Sequence, residues 1–128
     1  MRSLARETVF QYFFSRLFNQ QDEGLFDVLV KNLGNDDRIF AEKLKNAVEN
    51  NSEKYETTLE HLVENYKVSR IISADKCAIF IGMAELDNIM DTPKIVAIDE
   101  AVKLAAKFST ENSTDFVNGV LAEYAKDK

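Results

Sequence analysis

Apolar residues recur every three or four positions along this chain rather than in alternation, which is the spacing of helical faces. A first helix is expected from Ser3, as its N-cap, to about Gln20, with Phe10, Phe13, Phe14, Leu17 and Phe18 along one inward stripe. Gly24 interrupts that pattern before a short helix around Leu25, Phe26, Leu29, Val30 and Leu33. Gly34-Asn35 is a stop signal, and Asp36-Asp37 suits the positive end of the helix that follows. That helix turns Phe40, Leu44 and Val48 inward and is expected to end near Asn50-Asn51. Ser52 then caps another, with Tyr55, Leu59, Leu62, Val63 and Tyr66 inward and Glu53, Glu56, Glu60 and Glu64 toward water.

In the second half, Ser73 reads as the N-cap of a helix from Ala74 to about Met90 that is apolar nearly all round, from Cys77 to Leu86. A helix of that kind is surrounded by others. Thr92 and Pro93 fit N-cap and N1 of the next, whose predicted buried stripe is Ile95, Ile98, Ala101, Val102, Ala105 and Phe108. Ser113 caps the last helix, with Asp115 in its first turn and Val117, Val120, Leu121 and Tyr124 on the packing face. Four glycines and one proline are too few turn residues for a sheet protein. The expectation is therefore an all-α fold of about seven helices. The chain changes character near Lys67, from aromatic-rich to Ala-rich, which suggests one domain of two small packed bundles, about 1–66 and about 67–128.

A chain of 128 residues is long enough for one domain burying roughly two-thirds of its unfolded surface. No run approaches the length of a membrane span, and no secretory leader is evident, so a soluble cytoplasmic protein is expected. Cys77 has no second cysteine to pair with, and one histidine, His61, leaves little material for a zinc site. Glu60, His61 and Glu64 read as a hydrated helix face. No Gly-rich phosphate loop, nucleophile elbow or metal spacing occurs, so neither an enzyme nor a cofactor is expected. Sixteen Lys and Arg against 22 Asp and Glu give a net charge of −6. Strong unaided binding to nucleic acid is disfavoured by that charge, whereas RNA contact shared with a basic partner is not. The first helix runs against the trend: Arg2, Arg6 and Arg16 face only Glu7.

One ordered series of residues goes further than composition. Thr92-Pro93, Val96-Ala97-Ile98-Asp99-Glu100-Ala101-Val102, Leu104-Ala105, Phe108, Ser113 and Phe116-Val117-Asn118-Gly119-Val120-Leu121 follow one another at fixed spacings. Upstream stand Tyr66, Arg70, Asp75-Lys76 and Glu85-Leu86, and near the start Ala5-Arg6-Glu7, Gln11 and Phe14. This series resembles the NusB family of bacterial transcription antitermination factors over essentially the whole chain. The resemblance implies a non-enzymatic, all-helical protein that binds the boxA element of nascent RNA together with NusE, a small-subunit ribosomal protein. Within the RNA polymerase antitermination complex the pair would promote ribosomal RNA transcription. Members of the family occur as monomers and as homodimers.

Carried over by matching position, the resemblance implies RNA-binding roles for Arg2, Arg6, Phe116 and Asn118, and partner-binding roles for Phe14 and Asp75. Phe116 can stack an unpaired base or pack inward; Asn118 can bond a base edge or fasten backbone. Asp75 suits a basic partner and equally suits a helix start. The departures from the family pattern are an arginine segment thinned to Met1-Arg2-Ser3-Leu4-Ala5-Arg6, Phe80 where arginine is common, Ala84 where tyrosine is common and Asp99 where asparagine is common. Fewer cations imply weaker RNA affinity. They leave open an alternative on the same fold, a protein-interaction module with little RNA binding of its own, as at the N-terminus of ribosomal RNA cytosine methyltransferases.

Overall fold

The computed structural model describes residues 2–17, 24–64 and 71–126, and among these it contains six α-helices, one 3-10 turn and no strand. In chain order they are α1 (Arg2–Arg16), α2 (Leu25–Leu29), the 3-10 turn Val30–Asn32, α3 (Asn35–Leu62), α4 (Ser73–Asn88), α5 (Lys94–Phe108) and α6 (Ser113–Ala125). The all-helical expectation holds, with one helix fewer than expected. Phe18, Gln20, Tyr66, Arg70 and the division near Lys67 lie outside the described residues.

The missing boundary is at Asn50-Asn51-Ser52, where α3 continues unbroken for 28 residues, about 42 Å at 1.5 Å per residue. Polar side chains there bond back to their own helix instead of capping a new one. The Asn51 amide donates to the Ala47 carbonyl at 2.8 Å, and the Ser52 hydroxyl to that of Glu49 at 3.4 Å. The apolar stripe of Phe40, Leu44, Val48, Tyr55 and Leu59 runs straight through, so burial outweighs the local cap signal.

The α4 helix is the centre of the packing, touching α1, α3, α5 and α6. Its near-continuous apolar surface is buried from Cys77 to Glu85 except at Phe80. Gly82 permits the close approach: a Cβ there would stand 2.6 Å from a Leu121 methyl and 3.1 Å from the Ala101 Cβ. One turn further on, the hydroxyls of Tyr55 and Tyr124 both donate to Asp87, tying α3 and α6 to α4. Burial first, and the Asp87 carboxylate second, hold both phenols above the ordinary tyrosine range. Burial likewise pushes the Cys77 thiol up to about 11.

Several boundaries shift by a residue or a face. Ser3 lies inside α1 and its hydroxyl donates to Glu100 at 2.9 Å. Leu17 is 49% exposed, whereas Phe10 and Tyr12 are buried. Ser73 is the first residue of α4 and Ser113 the first of α6, rather than the residues before them, and neither helix has a side-chain cap. Pro93 takes the cap position of α5, its carbonyl accepting from the amides of Val96 and Ala97, both at 3.0 Å. Ile95, expected inward, is 77% exposed. The buried face of α5 runs through Ala97, Ala101, Leu104 and Ala105, and Ile95 sits two residues, about 200°, around the helix from Ala97.

Residues of α1 pair in order along α5: Ser3 with Glu100, Glu7 with Lys107, and Phe10 stacked on Phe108 with ring centroids 4.6 Å apart. The two helices therefore run parallel. A buried ion pair fixes the register of α1 against α4. The Arg6 guanidinium, 4% exposed, donates through Nε and Nη2 to the two oxygens of Glu85, 1% exposed, at 2.7 and 2.6 Å. Glu100 stands 3.6 Å from its Nη1, and the guanidinium carbon lies 5.2 Å from the centroid of the Phe40 ring.

Removing one partner of such a pair strands a buried charge. Arg6→Ala is expected to lower unfolding free energy by about 3–5 kcal/mol, read by urea titration. Gly82→Val should cost about 1–3 kcal/mol by overpacking against Leu121 and Ala101; an unchanged melting temperature would show that the helices separate freely. The raised Cys77, Tyr55 and Tyr124 groups lose their protons first in the unfolded chain, so their stabilisation is intact below about pH 9 and declines as pH rises beyond it. By about pH 10.5 the thiol alone should account for about 2 kcal/mol. Urea titrations of the wild type and Cys77→Ala across this range would isolate that share.

Candidate nucleic-acid and partner interface

Of the four residues singled out for RNA, Arg2 lies at the start of α5, Phe116 and Asn118 lie beyond its end, and Arg6 lies inside the fold. At the start of α5, Arg2 emerges one helical turn before Arg6 on the same face of α1. Its Nη1 and Nη2 donate to the two carboxylate oxygens of Asp91 at 3.1 and 2.8 Å, and Nη1 also reaches the Thr92 hydroxyl at 3.2 Å. The guanidinium carbon stands 4.6 Å from the centroid of the buried Phe40 ring. Hydrogen bonding with Arg2 is the leading cause that holds the Asp91 carboxyl below the usual range, and the same bond raises Arg2. Arg2 thus sits on the surface with a partner already in place. Arg6 does not reach the surface at all; its guanidinium is consumed by Glu85 inside the fold.

At the other end, Phe116 stands in the first turn of α6, half-buried, on a cleft of about 160 Å³ shared with Ile71, Ile72, Asp75, Thr110, Asn112 and Ser113. Asn118 is exposed two residues on. Asp75, expected to face a partner, is buried. It accepts from the Ser109 hydroxyl at 2.6 Å, and Ser109 stands 3.0 Å from the Ser113 hydroxyl, which in turn lies 2.9 Å from that of Thr110. This chain of hydrogen bonds clamps the corner between α5 and α6 to the first turn of α4. The carboxylate therefore positions the turn that carries Phe116. Over its 15 residues α5 is about 22 Å long, which sets the separation between the Arg2 and Phe116 ends.

Phe14 stacks on Phe10 at 5.7 Å between centroids, continuing the line of rings from Phe108. Phe14 is not part of the groove of about 470 Å³ that the end of α1, the middle of α3 and the start of α4 enclose. Phe13, Leu17, Val48, Cys77 and Phe80 line it with apolar surface. Two ion pairs border it, Arg16 with Glu49 at 3.3 Å and Lys76 with Glu56 at 2.5 Å. Such a mixed surface, apolar at the floor and charged at the edge, has the make-up of a protein-binding patch.

Sequence reasoning missed Asp91 and Phe40 as partners of Arg2, and Ser109 as the partner of Asp75. The nearest signal was Thr92-Pro93, read only as a helix start; nothing local joins it to Arg2, 90 positions away. His61 is exposed, with Glu64 3.4 Å from its Nδ1. Among the described residues no group of three potential metal ligands occurs, and no helix is long and apolar enough to cross a membrane.

Known proteins share both the sequence and the shape. The Transcription antitermination protein NusB of Clostridium novyi (strain NT) is 31% identical over 133 residues, covering 98% of each chain. Its namesake in Natranaerobius thermophilus is 32% identical over 130 residues, covering 97% of this chain and 94% of its own. The solved NusB of T. maritima superposes with a TM-score of 0.90 at 25% identity, spanning 99% of this chain and 92% of that one. A crystal structure of the antitermination factors NusB and NusE in complex with dsRNA superposes at 0.85, with 27% identity over 99% of this chain and 97% of that one. The family pattern itself matches residues 1–126, and the chain belongs to the NusB family.

Proposed function

We propose that this protein is a cytoplasmic, non-enzymatic transcription antitermination factor that binds boxA RNA of nascent transcripts together with the ribosomal protein NusE, promoting ribosomal RNA transcription. The observation that carries the reading is the full-length likeness to a NusB crystallised with NusE and dsRNA. The local chemistry is compatible with it. Phe116 offers a ring face at the start of α6 for an unpaired base, Asn118 an exposed amide for a base edge, and Arg2 a guanidinium for phosphate. A strand bridging the Arg2 and Phe116 ends would lie along α5. The groove lined by Phe13 and the half-exposed Leu17, together with the Phe14 ring further along α1, would supply the surface for the protein partner.

The burial of Arg6 and the net charge of −6 favour keeping a second reading, in which the chain binds its protein partner and adds little RNA affinity of its own. The two separate in a mobility-shift titration of boxA and scrambled RNA, with the chain alone, NusE alone and the pair. Antitermination predicts that the pair prefers boxA and binds it more tightly than NusE alone. Phe116→Ala should then weaken the complex roughly 5- to 150-fold, the range of one base–aromatic stack, while circular dichroism confirms the fold. A pair that binds boxA no better than NusE alone leaves only the interaction module, and a pair that cannot tell boxA from scrambled RNA ends the first reading. For the partner face, Leu17→Asp should weaken NusE binding by tenfold or more in calorimetry without lowering the melting temperature, because the side chain is half exposed; unchanged affinity would place NusE elsewhere.

A further inference from the structure

We propose that Asp91 masks Arg2 in the free protein, occupying the guanidinium fork that an RNA phosphate would otherwise take. The inference rests on the RNA-binding reading above and assigns that site an internal competitor. Arginine grips a phosphate through two parallel N–H donors in the plane of the guanidinium. Here the Nη1 and Nη2 pair is already bidentate on the Asp91 carboxylate, at 3.1 and 2.8 Å, and Thr92 draws on Nη1 as well. The buried ring of Phe40 covers one face of the group. An incoming phosphate must therefore displace Asp91 from the fork or bind beside it, against its negative charge. Either route costs affinity.

The exposure of the pair decides what kind of contact it is. Arg6 and Glu85 are buried, and their pair belongs to the fold. Arg2 and Asp91 have side chains 41% and 70% exposed, so water and salt screen their attraction and a competing anion can replace it. A mask of this strength lowers phosphate affinity only roughly two- to fivefold. That is enough to discourage stray phosphates that touch Arg2 alone. An RNA already anchored at Phe116, about 22 Å away along α5, meets Arg2 at high local concentration and can overcome it. Because phosphate contacts carry no sequence information, the mask acts equally on boxA and on scrambled RNA.

The test titrates boxA RNA with this protein and NusE together, at several salt concentrations, comparing wild type with Asp91→Asn, Arg2→Ala and the double variant. Asn keeps an acceptor oxygen for Arg2 while removing the charge, and melting curves confirm that each variant is folded. Asp27→Asn is the control for charge alone, since Asp27 is also exposed and lies on α2 rather than on α5. Asp91→Asn should tighten binding roughly two- to fivefold beyond Asp27→Asn. It should also steepen the dependence of log affinity on log salt by about 0.7, the counterion release of one single-strand phosphate, which in the wild type is offset when Asp91 is freed. The Arg2→Ala background should abolish both effects. A gain no larger than that of Asp27→Asn, a gain that survives Arg2→Ala, or weaker binding would each overturn the mask. If wild type with NusE does not prefer boxA, the functional reading fails first and the mask falls with it; if wild type prefers boxA and Asp91→Asn changes nothing, only the mask is lost.

Discussion

Burying a guanidinium and a carboxylate together takes both out of water, and the cost is recovered only where the geometry between them is close to ideal. The Arg6 and Glu85 side chains meet that condition, with two parallel hydrogen bonds of 2.7 and 2.6 Å, Glu100 nearby and the Phe40 ring alongside. The consequence is positional. A slip of α1 by one residue would turn Arg6 away and strand Glu85 in the core, so the pair admits one register of α1 against α4 and α5. The order of Ser3 at Glu100, Glu7 at Lys107 and Phe10 on Phe108 follows from it. So does the surface: Arg2, four residues earlier, is carried over the same Phe40 ring to the loop at Asp91.

The opposite end of the structure depends on α4 in a different way. Gly82 lets Leu121 and Ala101 approach the α4 backbone, and Asp87 gathers the hydroxyls of Tyr55 and Tyr124. These contacts bring α3, α5 and α6 onto one central helix. Asp75, at the start of that helix, then holds Ser109 and through it the corner that leads into α6. The cleft at Phe116 is accordingly built from a buried carboxylate and hydroxyls, not from a loose connection.

Where sequence patterning succeeded, burial and periodicity coincide, as in the all-round apolar α4 and the Val117, Val120, Leu121 and Tyr124 face of α6. It failed where a local signal competed with packing. Ser52 and Asn51 look like a helix boundary, yet the stripe of α3 continues and their side chains bond back to it. Ile95 looks like a core residue, yet α5 presents its small residues to α4 and leaves Ile95 in water. Family resemblance marked Arg2 and Arg6 as equivalent cations. A sequence shows charge but not depth, and Glu85, 79 positions from Arg6, could not be connected to it without the fold.

That difference in depth changes the electrostatic picture of the whole first helix. Its local excess of two positive charges suggests a basic end facing outward, but each arginine is answered within the fold. Arg6 is spent on Glu85, Arg16 reaches Glu49 and the Tyr12 hydroxyl, and Arg2 is held by Asp91. The field that remains is that of an acidic protein. Because release of counterions from phosphate supplies most of the nonspecific attraction between a protein and RNA, such a surface contributes little of it. On the proposed function, RNA affinity would come from ring stacking and amide contacts near Phe116, and from cations that a basic partner brings. The need for a basic partner that the proposed function implies would then follow from how these arginines are paired, and not only from how few there are.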